Sequence, residues 1–541
     1  MTRRKKFAIL TVAVGLLLIA ACSSFQKYNI KNVTQNLPEN YRERVAEALG
    51  AAEENRGELV KVLKHYQSQG AADARKLEAA SFLIANMPEH SFVAVVLADS
   101  LDNEIELDVM AFDSAEEIQI YLDSLENSRG ELHWKLKEEK QDIKVVTADF
   151  LISHIDLAFL AYETLPWCGA LGWQNFLEYV LPYRGSSEPL SDWRTFFWNE
   201  FSDLRNETDD PRQLACLIND RCKQMFTFKD VFYFHPTDQG LDEMLKNGYG
   251  RCEDMTNFVI YAMRANGLAV TSDYTPYWPD GTNNHAWNAL ILPTGEVLPF
   301  MGCEANPGEY KLNRKIAKVY RKLFSDEENA LANQLGKGEK VPAWLSGKNY
   351  CDVTDKYVTT SNITISTLLP EHRWAYLAVY NSNEWQAIHW GRIAPSGKAA
   401  FTQMGRDIVY LPTYYKCIDS TANNAERKYE LQGAAPPLIL TKEGEILKLD
   451  NDPIEDRIPD STGFLADRIA KSDKYKVQPG NLYTLYVWAE NEWHALIDTT
   501  AQSDSILFDY YYPESLYKLE DEEKNPEVRP FTIEGNRQVI W

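Results

Sequence analysis

The chain comprises 541 residues, with 79 acidic side chains against 56 basic ones, a formal charge of −23 at pH 7 and 45% hydrophobic residues. That length accommodates roughly three or four domains with sizeable cores. An acidic excess of this size, without clustered Lys and Arg, excludes recognition of a nucleic-acid backbone, which needs cationic contacts to phosphate; it reads as a solvated surface.

At the N-terminus Arg3, Arg4, Lys5 and Lys6 precede an apolar stretch from Phe7 to Ala21, the layout of an export signal and too short for a comfortable membrane span. It ends Ile19-Ala20-Ala21-Cys22, which resembles the lipobox of bacterial lipoproteins. The resemblance implies that residues 1–21 are removed, that Cys22 is diacylated and becomes the mature N-terminus, and that residues 22–40 form a tether. Ser23 follows where an inner-membrane retention Asp would stand, so the resemblance favours the outer membrane, on its periplasmic or cell-surface face. No other apolar run approaches bilayer length, so the lipid is the only membrane attachment expected. Of the 8 cysteines, Cys22 goes to lipid and an odd number remains: Cys168, Cys216, Cys222, Cys252, Cys303, Cys351 and Cys417. In an oxidising compartment an odd number leaves at least one thiol outside any bridge. With no Cys-x-x-Cys pair, the spacing shows no zinc ligand set.

Residues 41–229 read as a helical region. Arg42 to Gln69, Ala72 to Ala85 and Val145 to Leu165 carry apolar residues at helical spacing among Ala, Glu, Leu and Lys. Trp167, Trp173, Trp193 and Trp198 interleave with Pro182 and Pro189, and packing in a compact aromatic core is the reading preferred over a ligand cage.

Residues 230–325 hold the chemistry. Gly248-Tyr249-Gly250-Arg251-Cys252-Glu253-Asp254 leads into Met255, Phe258, Val259, Ala262 and Met263 at helical spacing, ending at Asn266-Gly267. A cysteine opening a helix feels the positive end of its dipole, which favours thiolate. Glycines just before it let a substrate carbonyl come close and leave the Cys252 amide available as an oxyanion donor. Leu268 to Thr275 reads as a strand, Pro276 to Asn284 as a loop, and His285 to Leu292 as a second strand that turns at Pro293-Thr294-Gly295 into a third, Glu296 to Phe300. His285 then heads a strand, in the order a thiol hydrolase needs for an imidazole beside its sulfur. His235, His389 and His494 have no recurring partner spacing, and no metal or organic cofactor is implied.

Beyond about residue 330 the texture changes to short alternating apolar segments separated by Asn, Gly and Pro. Leu377-Ala378-Val379-Tyr380 before Asn383-Glu384-Trp385 matches Leu485-Tyr486-Val487-Trp488 before Asn491-Glu492-Trp493. Each copy reads as a strand, a polar turn and a returning strand whose Trp begins the second arm. Two related β-sandwich-like modules, residues 326–430 and 431–541, are the simplest explanation.

Gly250-x-Cys252-x-Asp254 followed by His285-Ala286-Trp287 resembles the core of the transglutaminase-like superfamily, over about residues 230–310. The resemblance implies Cys252 as nucleophile, His285 as base, a thioester intermediate, and Asp254 as a structural residue of the helix start. Family members usually carry an Asp on the strand after the His to orient the imidazole. This chain instead reads Leu298-Pro299-Phe300-Met301-Gly302-Cys303-Glu304, with Phe300 or Met301 about where that carboxylate belongs. Either Glu304 reaches back, which ranks first, or Asn306 supplies an amide, or the triad is incomplete.

The fold expected is therefore α+β: a helical N-terminal region, a papain/transglutaminase-like α+β core and C-terminal β-sandwich-like modules. The function expected is a lipid-anchored thiol hydrolase, a peptidase or amidase, acting on a peptide, protein or glycopeptide. The alternative is a catalytically inactive scaffold whose β modules bind glycan, peptide or protein.

Overall fold

The computed structural model describes residues 30–418 and 428–541; the leader, Cys22 and the first part of the tether lie outside them. The chain divides into two compact units. The first runs to Ser272 and resumes over Trp287–Tyr310 and Leu323–Asp326; the second takes Asp273–Ala286, Lys311–Lys322 and Glu327–Trp541. The expected α+β class is what is observed.

In the first unit, α1 (Arg42–Ala51), α2 (Arg56–Ser68) and α3 (Ala74–Asn86) bury apolar stripes that include Val45 and Leu49, Leu59, Val62 and Leu63, and Leu83 and Ile84. The single long stretch expected from Arg42 to Gln69 is broken after α1. Glu53 adopts a φ of 49°, and the Arg56 side chain donates to the Leu49 carbonyl at 2.6 Å, satisfying an acceptor the helix end leaves open.

The region expected to be helical throughout also contains a sheet. Strand β1 (Ser91–Ala98) pairs antiparallel with β2 (Glu104–Ile105); helix α4 (Ala115–Arg129) follows, and β3 (His133–Gln141) returns along β1, giving the order β2-β1-β3. In β3, His-Trp-Lys-Leu-Lys-Glu-Glu-Lys-Gln lies exposed along nearly its whole length. Main-chain pairing holds it, so the period-2 apolar signal that marks a half-buried strand is absent. Helix α5 (Ala148–Thr164) starts where Thr147 Oγ1 accepts from the Phe150 amide at 3.3 Å.

Helices α6 (Trp193–Glu200), α7 (Pro211–Met225) and α8 (Leu241–Asn247) precede α9 (Cys252–Ala265). Every residue of α9 from Asp254 onward is buried, the mark of a helix packed on all faces. Trp193 stacks on Tyr261 with centroids 5.0 Å apart, and Phe226 on Phe258 at 5.1 Å. After α9 come β4 (Ala269–Thr275), β5 (His285–Ile291) and β6 (Val297–Phe300), neighbours in the order β4-β5-β6. The β5–β6 hairpin pairs Asn288 with Phe300 and Ile291 with Val297, turning at Gly295 with φ 84°, as the sequence predicts.

In the second unit, β7 (Tyr320–Lys322) and β8 (Tyr350–Asp352) continue from the end of β4 in the order β8-β7-β4. Strands β9 (Thr360–Ile365), β10 (Trp374–Asn381), β11 (Glu384–Arg392), β12 (Ala399–Gly405) and β13 (Ile408–Cys417) form the first β module, with β14 (Tyr429–Gly433), β15 (Leu438–Leu440) and β16 (Ile446–Lys448). Its sheets are β9-β12 and β11-β10-β13-β15-β16, with β14 on β13; Ile363, Leu377, Ile388, Phe401 and Leu440 share one core.

The strands of the second module join in one hydrogen-bonded path of seven, and Phe464, Leu485, Phe508, Leu519 and Phe531 share one core. The module is built from β17 (Phe464–Ala466), β18 (Leu482–Ala489), β19 (Glu492–Thr500), β20 (Ile506–Phe508), β21 (Tyr517–Asp521), β22 (Phe531–Glu534) and β23 (Arg537–Ile540). The order is β19-β18-β21-β22-β23-β17-β20.

The sequence repeat is a structural one. Hairpins β10–β11 and β18–β19 have the same strand lengths, 8 and 9 residues. Each has two positive-φ turn residues, Ser382 and Asn383 in one and Glu490 and Asn491 in the other, the twist-matched hairpin turn. The register shifts after Leu377 in the first and after Leu485 in the second, so even the bulge is repeated.

Candidate active site

Cys252 is set in place by the chain on both sides of it. Gly248 closes α8 in the left-handed conformation, φ 69°, donating to Met244 O at 2.9 Å. Tyr249 and Gly250 then pair in parallel with Thr227 and Phe228. A Cβ on Gly250 would lie 2.6 Å from both Asp254 Cβ and Phe226 Cζ, so only glycine fits between the strand and the helix it introduces.

Asp254, fully buried, caps α9. Its carboxylate accepts from the amides of Arg251 at 3.0 Å and Gln239 at 2.9 Å and from Gln239 Nε2 at 3.2 Å. Burial pushes it up to about 6, with the nearby Asp238 charge adding and the two backbone donors opposing. The structural role expected for Asp254 is the one it plays. Gln239, not anticipated from the sequence, links this cap to the preceding loop: its amide also donates to Tyr249 O and accepts from Asn247.

The Cys252 side chain is 7% exposed and donates to Glu253 Oε2 at 3.0 Å. Two opposing fields act there. The helix N-terminus favours thiolate, whereas a carboxylate accepting the thiol proton favours thiol; Arg251, with Nε 3.6 Å from the same Glu253 oxygen and Nη2 2.8 Å from Asp238 Oδ1, offsets part of that charge. Phe228, Tyr233 and Tyr249 are exposed by 46, 58 and 42%, an aromatic rim on the segments next to the nucleophile. Partial burial, then the charges of Cys252 and Glu253, raise the Tyr233 phenol to about 12.

His285 heads β5, as expected, and is half-buried. Its ring stacks on Trp278, centroids 6.1 Å apart at 30°. Further along the strand, in the first unit, Asn288 Nδ2 donates to Thr256 O of α9 at 3.1 Å, and Asn288 Oδ1 accepts from the Gly302 amide. Asn288 therefore ties the first-unit part of the strand to the helix that Cys252 opens.

The residues after β6 separate the orienting candidates. Met301 is buried. Asn306 is committed to α7: its Oδ1 accepts from Asn219 at 2.9 Å and Lys223 at 3.1 Å, and its amide donates to Asp220 at 3.0 Å. Glu304 is exposed. Burial raises the Tyr310 phenol, and the Glu304 and Cys252 charges raise it further, so one side chain senses both residues. Asn219, unforeseen in the sequence, shapes this turn by accepting from the Cys303 amide at 2.8 Å, which fixes Cys303 at φ 59°.

Among the described residues no group of three or more His, Cys, Asp or Glu is placed to hold a metal ion, and no helix is long and apolar enough to cross a membrane. No curated protein matches the chain. The family model of the transglutaminase-like superfamily matches residues 202–300, a span that contains α7, Gly250, Cys252, Asp254, His285 and the β5–β6 hairpin. Residues 202–300 therefore form a domain of the transglutaminase-like superfamily.

Proposed function

We propose that the protein is a thiol hydrolase of peptide or amide bonds, tethered through Cys22 to the outer membrane, with Cys252 as nucleophile and His285 as base. What supports it most is Cys252 itself, a thiol at the first residue of a buried, carboxylate-capped helix, entered through a glycine that packs against Asp254 and Phe226, inside the superfamily match. His285 takes the thiol proton as Sγ bonds to the substrate carbonyl carbon. That proton then goes to the departing amine, the C–N bond breaks, and a thioester is left. Water cleaves the thioester to a carboxylate, returning a proton to Cys252. Glu304 is the carboxylate assigned to steering the imidazole, and a peptide, protein or glycopeptide is the substrate.

The second reading, an inactive scaffold using its β modules for glycan, peptide or protein binding, draws on one observation. The Cys252 proton is directed at Glu253, which opposes thiolate formation. Alkylation of the full chain by a haloacetamide separates the readings. The hydrolase predicts that Cys252 is labelled faster than small-molecule cysteine at mildly acidic pH, that Cys252→Ala abolishes this and that His285→Ala slows it. Labelling that appears only on unfolding establishes the scaffold.

A further inference from the structure

We infer that Asn381, on the first β module and outside the span of the superfamily match, is a positioning residue for His285; this rests on His285 acting as the base. The loop that delivers His285, Trp278 to Asn284, carries no regular structure of its own, and a main-chain bond, Trp278 N to Asn283 O at 3.2 Å, closes it. Asn381 ties the carbonyls of that loop to the first β module. It is 2% exposed at the end of β10, and its Nδ2 lies 3.0 Å from each of three carbonyls of that loop, those of Trp278, Gly281 and Asn283. The side-chain oxygen accepts from Ser382 Oγ at 3.0 Å, so the amide can face the loop only with its donors.

Trp278 carries this anchorage to the imidazole by stacking on it. Other groups of the second unit also touch the loop. Arg314 lies over Trp278 at 5.7 Å, Asp280 Oδ2 accepts from the Lys315 amide at 3.0 Å, and Thr282 donates to Glu527 at 2.9 Å.

The internal repeat isolates the feature. Hairpin β18–β19 reproduces the strand lengths, turn and bulge of β10–β11, yet at the position of Asn381 it carries Ala489. The backbone of the hairpin does not require asparagine there; the three carbonyls do. A donor removed from this point leaves buried acceptors unsatisfied and frees the loop that sets the ring's place, and general-base efficiency depends on that geometry.

The test is the pH profile of Cys252 alkylation in the full chain between about pH 5 and pH 9, for wild type, His285→Ala and Asn381→Ala, the residue of the second copy. A thiol paired with an imidazole gives an acid limb below the ordinary thiol range, which His285→Ala removes. Asn381→Ala is expected to move that limb toward the ordinary thiol and to slow labelling about ten-fold at neutral pH, with a lowered thermal midpoint that still leaves the chain folded at the assay temperature. Should Asn381→Ala not fold, Asn381→Ser, whose hydroxyl cannot span three carbonyls, carries the same expectation. A wild-type acid limb that His285→Ala abolishes and the Asn381 variants leave in place overturns the positioning role. A wild-type profile that tracks small-molecule cysteine and ignores His285→Ala overturns the hydrolase reading itself, and the positioning role with it.

Discussion

Asp254→Asn tests the cap that presents Cys252. The carboxylate is fully buried and accepts three N–H groups. An asparagine of the same shape keeps the most bonds by placing its oxygen at Oδ2, where Arg251 N–H and Gln239 Nε2 donate, and then turns its NH2 toward the Gln239 backbone N–H. Hydrogen bonds to a charged group contribute about 1.5–3 kcal/mol each, so the loss of that one costs about 1.5–3 kcal/mol at neutral pH, less the relief of no longer burying a charge.

The pH dependence has a fixed sign. Burial pushes the folded carboxyl up to about 6 from the ordinary 3.8 of the unfolded chain, so the folded state holds the proton more tightly. Its contribution is complete below about pH 4 and is lost as pH rises through about 6, roughly 3 kcal/mol over the window. The asparagine has no such titration. Hydrogen exchange of peptides from α9, read by mass spectrometry and corrected for intrinsic rates, should show the wild-type advantage over the variant shrinking from about pH 4 to pH 7. An advantage that is flat or grows over that range refutes the assignment of a buried, proton-retaining cap.

Glu253→Gln removes the negative charge that receives the Cys252 proton, so the acid limb of Cys252 alkylation should move to lower pH and labelling near pH 6 should rise several-fold; an unchanged limb shows that the carboxylate does not hold the thiol. Gly250→Ala places a methyl 2.6 Å from Asp254 and Phe226 and should lower the stability of the first unit by about 1–3 kcal/mol in urea titrations, with slower Cys252 labelling. Arg184 and Asp142 form a fully buried ion pair. Arg184→Met alone should cost about 3–5 kcal/mol by leaving the carboxylate uncompensated, and Asp142→Asn in the same chain should recover most of it, as compared by thermal melts.

The central motif was legible because its signals are local. Glycine before Cys252, helical spacing after it and a strand–turn–strand from His285 each reflect a neighbour-to-neighbour constraint, and α9, β5 and β6 appear within a residue or two of where these place them. The repeat was legible for the same reason, since a two-residue turn between alternating strands is written in adjacent residues. The β1–β3 sheet was not, because the Lys, Glu and Gln side chains of β3 face solvent and leave no alternating apolar signal. Nor were Gln239, Asn219 and Asn381, whose roles come from partners distant in sequence. One trace of Asn381 was present: the two repeat copies agree at Glu384, Trp385, Glu492 and Trp493 but differ at Asn381 and Ala489, a mismatch in a position the hairpin itself leaves open.

The matched bulge and turn make the two hairpins interchangeable cassettes. Exchanging residues 374–392 with 482–500 would conserve backbone path, twist and ladder while swapping every side chain they offer to their surroundings. A chimera of that kind separates scaffolding from recognition within one molecule: whatever it loses belongs to the side chains, and whatever survives belongs to the shared frame.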